Sequence, residues 1–161
     1  MELKQFEDIA RRAYLFSSGP EPSAGGVHPF DERDIHPGFP KKVRKLFDDG
    51  HCAEATFEAF KFLDKQIQIL SRTNETGFAL MMRAFPETSP LVRLTPCTTE
   101  TERNEQKGFQ FIFAGSVLAI RNPRGHEHSQ IDAPNLCLDH LGLASMLLRR
   151  LQASGHLISQ K

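Results

Sequence analysis

Residues 105–128 read EQKGFQFIFAGSVLAIRNPRGHEH, and the reading of this stretch decides the fold. From Phe109 to Ile120 it is apolar on nearly every side, through Phe109, Phe111, Ile112, Phe113, Ala114, Val117, Leu118, Ala119 and Ile120. A helix without a polar face is buried on more than one side, so this one either runs through the middle of a bundle or lies at a subunit interface. Gly108 and Gly115 each cost about 1 kcal/mol relative to alanine in a helix interior, which points to close helix approach. Upstream, Thr98 or Thr99 is a candidate cap, followed by acidic residues that favour the dipole of the first turn. Downstream, Pro123 lacks a backbone donor and biases Asn122 away from helical angles. The helix is therefore expected to end or kink as Arg121 leaves the apolar run.

The flanking segments are also helical in pattern. In residues 41–70, KKVRKLFDDGHCAEATFEAFKFLDKQIQIL, one stripe collects Cys52, Thr56, Ala59, Phe60, Leu63, Ile67 and Leu70, with Ala53 and Phe57 beside it. Glu54, Glu58, Lys61 and Lys65 fall on the other side, as a solvated face would. Gly50 separates a short helix over 41–48 from this longer one. Residues 74–99 hold a short apolar helix and a loop with three prolines. A last helix is expected from about Pro134 to about Ser154, with Leu136, Cys137, His140, Leu143, Ala144, Leu147, Leu148 and Leu151 as its core stripe and Gly155 as its stop. Residues 2–16 place apolar side chains at spacings of three and four, as a short amphipathic helix. SSGPEPSAGG (17–26) reads as a flexible linker, and residues 27–40 are too rich in proline and glycine for a regular element. The fold expected is all-α: a bundle of about four main helices over 35–161, preceded by an N-terminal helix and linker over 1–34.

Composition narrows the function. The 161 residues include 20 basic and 20 acidic side chains, so no global field recruits nucleic acid or anionic lipid and any anion binding is local. Cys52, Cys97 and Cys137 are far apart with no CxxC pair, which is neither a zinc pattern nor a disulfide framework, and a reducing cytoplasm fits best. The start, MELKQFEDIARRAY, lacks the apolar core of a signal peptide, and no run approaches the roughly 18 apolar residues of a membrane span.

The chemistry concentrates in residues 120–128, IRNPRGHEH. Arginine is always charged and its planar fork suits two phosphate oxygens, while histidine titrates near neutrality and moves a proton. Together they suit RNA, whose 2′-hydroxyl attacks the neighbouring phosphate once a base takes its proton and fixed positive charge steadies the developing negative oxygens. That reaction needs no metal or other cofactor. Read by itself, an Arg-x4-His spacing is equally met by an arginine capping helix carbonyls and a histidine in a turn.

Beyond the spacing, the chain resembles the HEPN superfamily, helical bundles with an Arg-x(4 to 6)-His motif and a polar residue just after the arginine. More narrowly it looks like the Ymh-type branch, with an RNPxxH motif. The matching stretches are IHP (35–37), LFDDGHCAEATFEAFK (46–61), GFALMMRAF (77–85), EQKGFQFIFAGSVLAIRNPRGHEH (105–128) and LGLASMLLRRL (141–151), in order over most of residues 35–151.

The resemblance implies a homodimer in which two motifs face each other across one composite ribonuclease site. On that model Arg121 binds the scissile phosphate, His126 is general base or acid, and Asn122 orients either partner. The products would be 2′,3′-cyclic phosphate and 5′-hydroxyl ends, the substrate transfer or messenger RNA, and the role that of a toxin or phage-defence effector with an antitoxin or defence partner. Arg124 and His128 are candidates for contacting flanking RNA, and Glu54 and Glu58 for lining the site from the neighbouring helix. The basic run KKVRK (41–45) and the pair Arg149 and Arg150 either guide RNA or simply solvate helix ends. Two alternatives stand beside the nuclease: a non-catalytic HEPN dimerisation module that binds RNA, nucleotide or a protein partner, and a metal site built from His126 and His128 with His140 or Asp139.

Overall fold

In the computed structural model, which describes residues 26–126 and 131–159, the regular elements are all helical. The expected helix over 2–16, nearly all of the linker, and His128 lie outside the described residues. A central core element is Cys52–Ser71 (α3, the third helix among the described residues), and its stripe is buried as its periodicity requires: Cys52, Thr56, Ala59, Phe60, Leu63 and Ile67 are inside and Leu70 is partly so. It is preceded by α1 (Pro29–Glu32) and α2 (Lys41–Asp48) and followed by α4 (Gly77–Ala84). Gly50, at φ 80°, makes the turn between α2 and α3. Then come α5 (Glu100–Ser116), a π-helical turn over Val117–Arg121, α6 (Asn122–His126) and α7 (Pro134–Ala153). No helix among the described residues is long and apolar enough to cross a membrane.

Thr99 caps α5 and forms a reciprocal capping box with Glu102, whose carboxylate also accepts from Thr98 and is held below its usual range by those hydrogen bonds. The proline-rich loop after α4 is anchored from inside by Gln106. Its Oε1 accepts from the amides of Leu94 and Thr95, and its Nε2 donates to the carbonyls of Phe85 and Val92. A buried amide so fully satisfied stabilises an irregular loop that has no helical ladder of its own.

Three expectations change. Of the two outcomes expected at Arg121, an end or a kink, the helix does not end there. It widens to a π turn, in which the Asn122 amide reaches back to the Val117 carbonyl, and then continues as α6. Pro123 falls in the first turn of α6, where its missing donor is least needed, so the proline shapes the helix rather than ending it. Residues 28–34, assigned to the linker, pack onto the bundle: Phe30 is buried with its ring 5.2 Å from that of Phe47, and His28 bonds Asp48 at 2.8 Å. The bundle thus begins near residue 28 rather than 35, because a one-turn helix starting at Pro29 places its aromatic side chain without any repeat to show it. The α7 stripe keeps Cys137, Ala144, Leu147, Leu148 and Leu151 inside but takes in Leu138 and Leu141 and leaves Leu136 exposed, as α7 packs on α3, where Thr56 Oγ1 donates to Cys137 Sγ at 3.4 Å.

His36, beside Pro37, is a buried structural residue. Its Nδ1 accepts from the Gly38 amide at 2.9 Å, which assigns the ring proton to Nε2, and that nitrogen bonds Gln152 Oε1 at 2.8 Å.

Candidate functional site

The π turn delivers Arg121 into a half-buried position between α3 and α4. Its guanidinium carbon lies 5.4 Å from the centre of the Phe57 ring, a cation–π contact, and its Nη1 donates to Asn122 Oδ1 at 3.2 Å. Its Nε is shielded from solvent and finds no partner among the described residues. Buried Gly77, at φ 64°, lies beside it: a Cβ at that glycine would stand 3.9 Å from Arg121 Nη1, an ordinary van der Waals contact. Such an arginine has its stem packed and its fork incompletely used, which is the condition for gripping an anion.

Two positioning groups were not anticipated from the sequence. Phe57 read only as a flank of the core stripe. Its ring touches Arg121 on one side and Gly125 on the other, where a Cβ would stand 2.8 Å from Phe57 Cε2. Asp64 is buried and accepts the Gly77 amide at 2.8 Å. Burial raises its carboxyl above the ordinary range, against the Gly77 hydrogen bond and the nearby Arg121 charge, which act to lower it. A charged residue set between Phe60 and Ile67 on an apolar stripe was the available signal.

The remaining candidates are distributed unevenly. His126 closes α6, one helical turn beyond Asn122; its side chain, like the whole of His128, lies outside the described residues. Glu54 is exposed beside His51, and Glu58 is held between Lys42 and Lys61 at 3.2 and 3.4 Å, so neither is brought to Arg121. Arg124 is the clear correction. Instead of standing in an exposed turn, its side chain is 4% exposed and forms a bidentate pair with Asp132, itself 2% exposed. A third bond runs from its Nη1 to the Ile120 carbonyl at 2.7 Å. Arg124 is thereby withdrawn from RNA phosphates, because the π turn rotates it inward.

His140 lies in the field of this pair. Burial, then the Arg124 charge, holds its imidazole below the ordinary range, with Asp132 and Asp139 opposing, and its buried Nδ1 finds no partner among the described residues. Asp139 pairs with Arg33 at 3.0 Å. The basic run is largely answered in place: Lys42 by Glu58, Arg44 by Asp31, Lys45 by Asp49, Arg149 by Asp34 and Arg150 by Glu105. Among the described residues, no three His, Cys, Asp or Glu side chains are grouped to hold a metal ion.

A family model described as "Protein of unknown function (Hypoth_ymh)" matches residues 33–151, nearly the whole bundle. The chain belongs to the Hypoth_Ymh family. No curated protein and no solved structure matches it. The Hypoth_Ymh span takes in Phe57, Asp64, Gly77, the RNPRGH segment and the Arg124–Asp132 pair, while α1 precedes it.

Two predictions arise from this geometry. Gly125→Ala is expected to displace the Phe57 ring from its place beside Arg121 and to cost about 1–3 kcal/mol, the usual range for overpacking, read as a lower urea midpoint. An unchanged midpoint would mean that the ring swings freely and supports nothing. Asp64→Asn keeps an oxygen for the Gly77 amide and removes the buried charge. Because the folded carboxyl titrates above its unfolded value, Asp64 favours folding when protonated, and that contribution is lost as pH rises through its raised pKa. The variant should therefore melt higher than wild type at pH 7, with the difference closing below about pH 3.9, the ordinary aspartate value.

Proposed function

We propose that this Hypoth_Ymh chain is a metal-independent endoribonuclease of the HEPN type, working as a homodimer. The observation that carries the reading is Arg121: set over the Phe57 ring, bonded to Asn122, with an Nε that finds no partner among the described residues, on the same helical run as His126. In this mechanism the guanidinium takes the non-bridging oxygens of a phosphodiester, and Asn122 holds the fork in place. His126 accepts the proton of the 2′-hydroxyl as that oxygen bonds to phosphorus. The bond from phosphorus to the 5′-oxygen breaks, and the departing oxygen takes a proton from the histidine of the second copy. The ends left are a 2′,3′-cyclic phosphate and a 5′-hydroxyl, so atoms and protons balance with no further reactant.

A second copy is called for by the surface of α5. The helix expected to be buried on more than one side, in the bundle or at a subunit interface, buries Phe113, Ala114 and Val117 but leaves Phe111 at 55%, Ile112 at 42% and Leu118 at 50% exposed. Apolar side chains grouped on one helix face mark an interaction surface, and this one runs directly into the turn bearing Arg121. Covering it with a second copy would bring two motifs toward each other. Transfer or messenger RNA as substrate, and a toxin or phage-defence role restrained by an antitoxin or defence partner, follow from the HEPN likeness alone.

The reading is tested by incubating wild type and His126→Ala with total RNA in EDTA and mapping the new ends. Cyclic-phosphate ends made by wild type alone support it. The internal pairing of the basic run favours the second reading, a non-catalytic dimerisation module, which requires binding by a folded dimer without cleavage.

A further inference from the structure

We infer that the Arg124–Asp132 ion pair is a positioning device that fixes His126 relative to Arg121, an inference that rests on the ribonuclease reading of those two residues. The starting point is the exposed end of the helical run. α6 is its last five residues, set beyond a π turn and containing Pro123, which lacks a donor, and a helix end of this kind frays unless side-chain contacts hold it. Its position must come from tertiary contacts, and Arg124 supplies them in two directions. Backward, Nη1 bonds the Ile120 carbonyl within the π turn, which ties α6 to the helical run that ends in Arg121. Forward, Nε and Nη2 take both oxygens of Asp132, two residues ahead of the first turn of α7. His126 lies inside the segment closed by this pair.

Burial argues for a geometric role. An ion pair this far from water repays its desolvation poorly, and well-packed apolar residues often stabilise a fold at least as well. What apolar residues do not supply is direction: three hydrogen bonds from a planar fork admit one arrangement of the π turn, α6 and the approach to α7. A proton-transfer group must be held in such an arrangement, since displacement by about 1 Å can cost about a hundredfold in rate.

The test is the double variant Arg124→Met with Asp132→Leu, which removes both charges together and retains packing. Amide exchange at Gly125 and His126 is expected to accelerate at least about tenfold while the amides of α3 and α7 keep their protection, and kcat on RNA should fall by about 10- to 100-fold with KM within about threefold. Unchanged exchange at Gly125 and His126, or a wild-type kcat in the folded double variant, overturns the inference. Should the wild type itself fail to cut RNA, the ribonuclease reading fails, and the exchange measurement still decides whether the pair holds α6. If the double variant does not fold, Arg124→Lys, which keeps the charge and loses the fork, carries both measurements with the same expected and contrary results.

Discussion

Arg121→Ala and His126→Ala are each expected to lower RNA cleavage by about 10²- to 10⁴-fold, the range for loss of a charge-stabilising donor or of a general acid–base group. The arginine variant loses a cation–π contact worth about 0.5–2 kcal/mol and one hydrogen bond to Asn122, too little to unfold a domain of ordinary stability. Its circular dichroism and its oligomeric state should therefore match wild type. The two variants should also differ from each other: Arg121→Ala raises KM as well as lowering kcat, because the phosphate grip is lost, whereas His126→Ala lowers kcat alone. Equal cleavage by wild type and both variants would remove RNPRGH from the chemistry.

The largest effect on stability is expected for Asp132→Ala. It leaves the Arg124 guanidinium buried with a net charge and two unanswered donors, and breaking a buried pair from one side costs about 3–5 kcal/mol. That is a large part of the roughly 5–15 kcal/mol that holds a typical domain folded, and it should appear as a marked fall in the urea midpoint with an unchanged slope. Replacing both partners by apolar residues should recover most of the loss, because no unpaired charge remains. A single variant as stable as wild type would show that water reaches Arg124 and that the pair is not buried in solution.

The long helices were legible because each rests on a repeating pattern. The stripe from Cys52 to Ile67, the Thr99 and Glu102 cap, and the start of α7 at Pro134 all follow from spacing and from local backbone chemistry. Arg121, Asn122 and His126 were singled out as candidates for a different reason: few residue types can hold a phosphate and move a proton, and these stand close together in the chain. Arg124 was misread on the same local grounds, since a basic residue after proline looks like part of an exposed turn when the π turn is not known. Phe57 and Asp64 lie more than fifty positions from Arg121, and nothing in their own neighbourhood says what they will face.

The sequence by itself determined that the chain is helical and where its long helices run, because propensity, capping and periodicity act over a few residues. Only the tertiary structure decided that Pro123 is carried within the helix, that Arg124 turns inward to Asp132 while Arg121 lies on Phe57, and that Phe111, Ile112 and Leu118 remain uncovered. Those outcomes depend on a one-residue change of helical register and on side chains brought together from distant helices, and the free energy of both is set by packing in three dimensions.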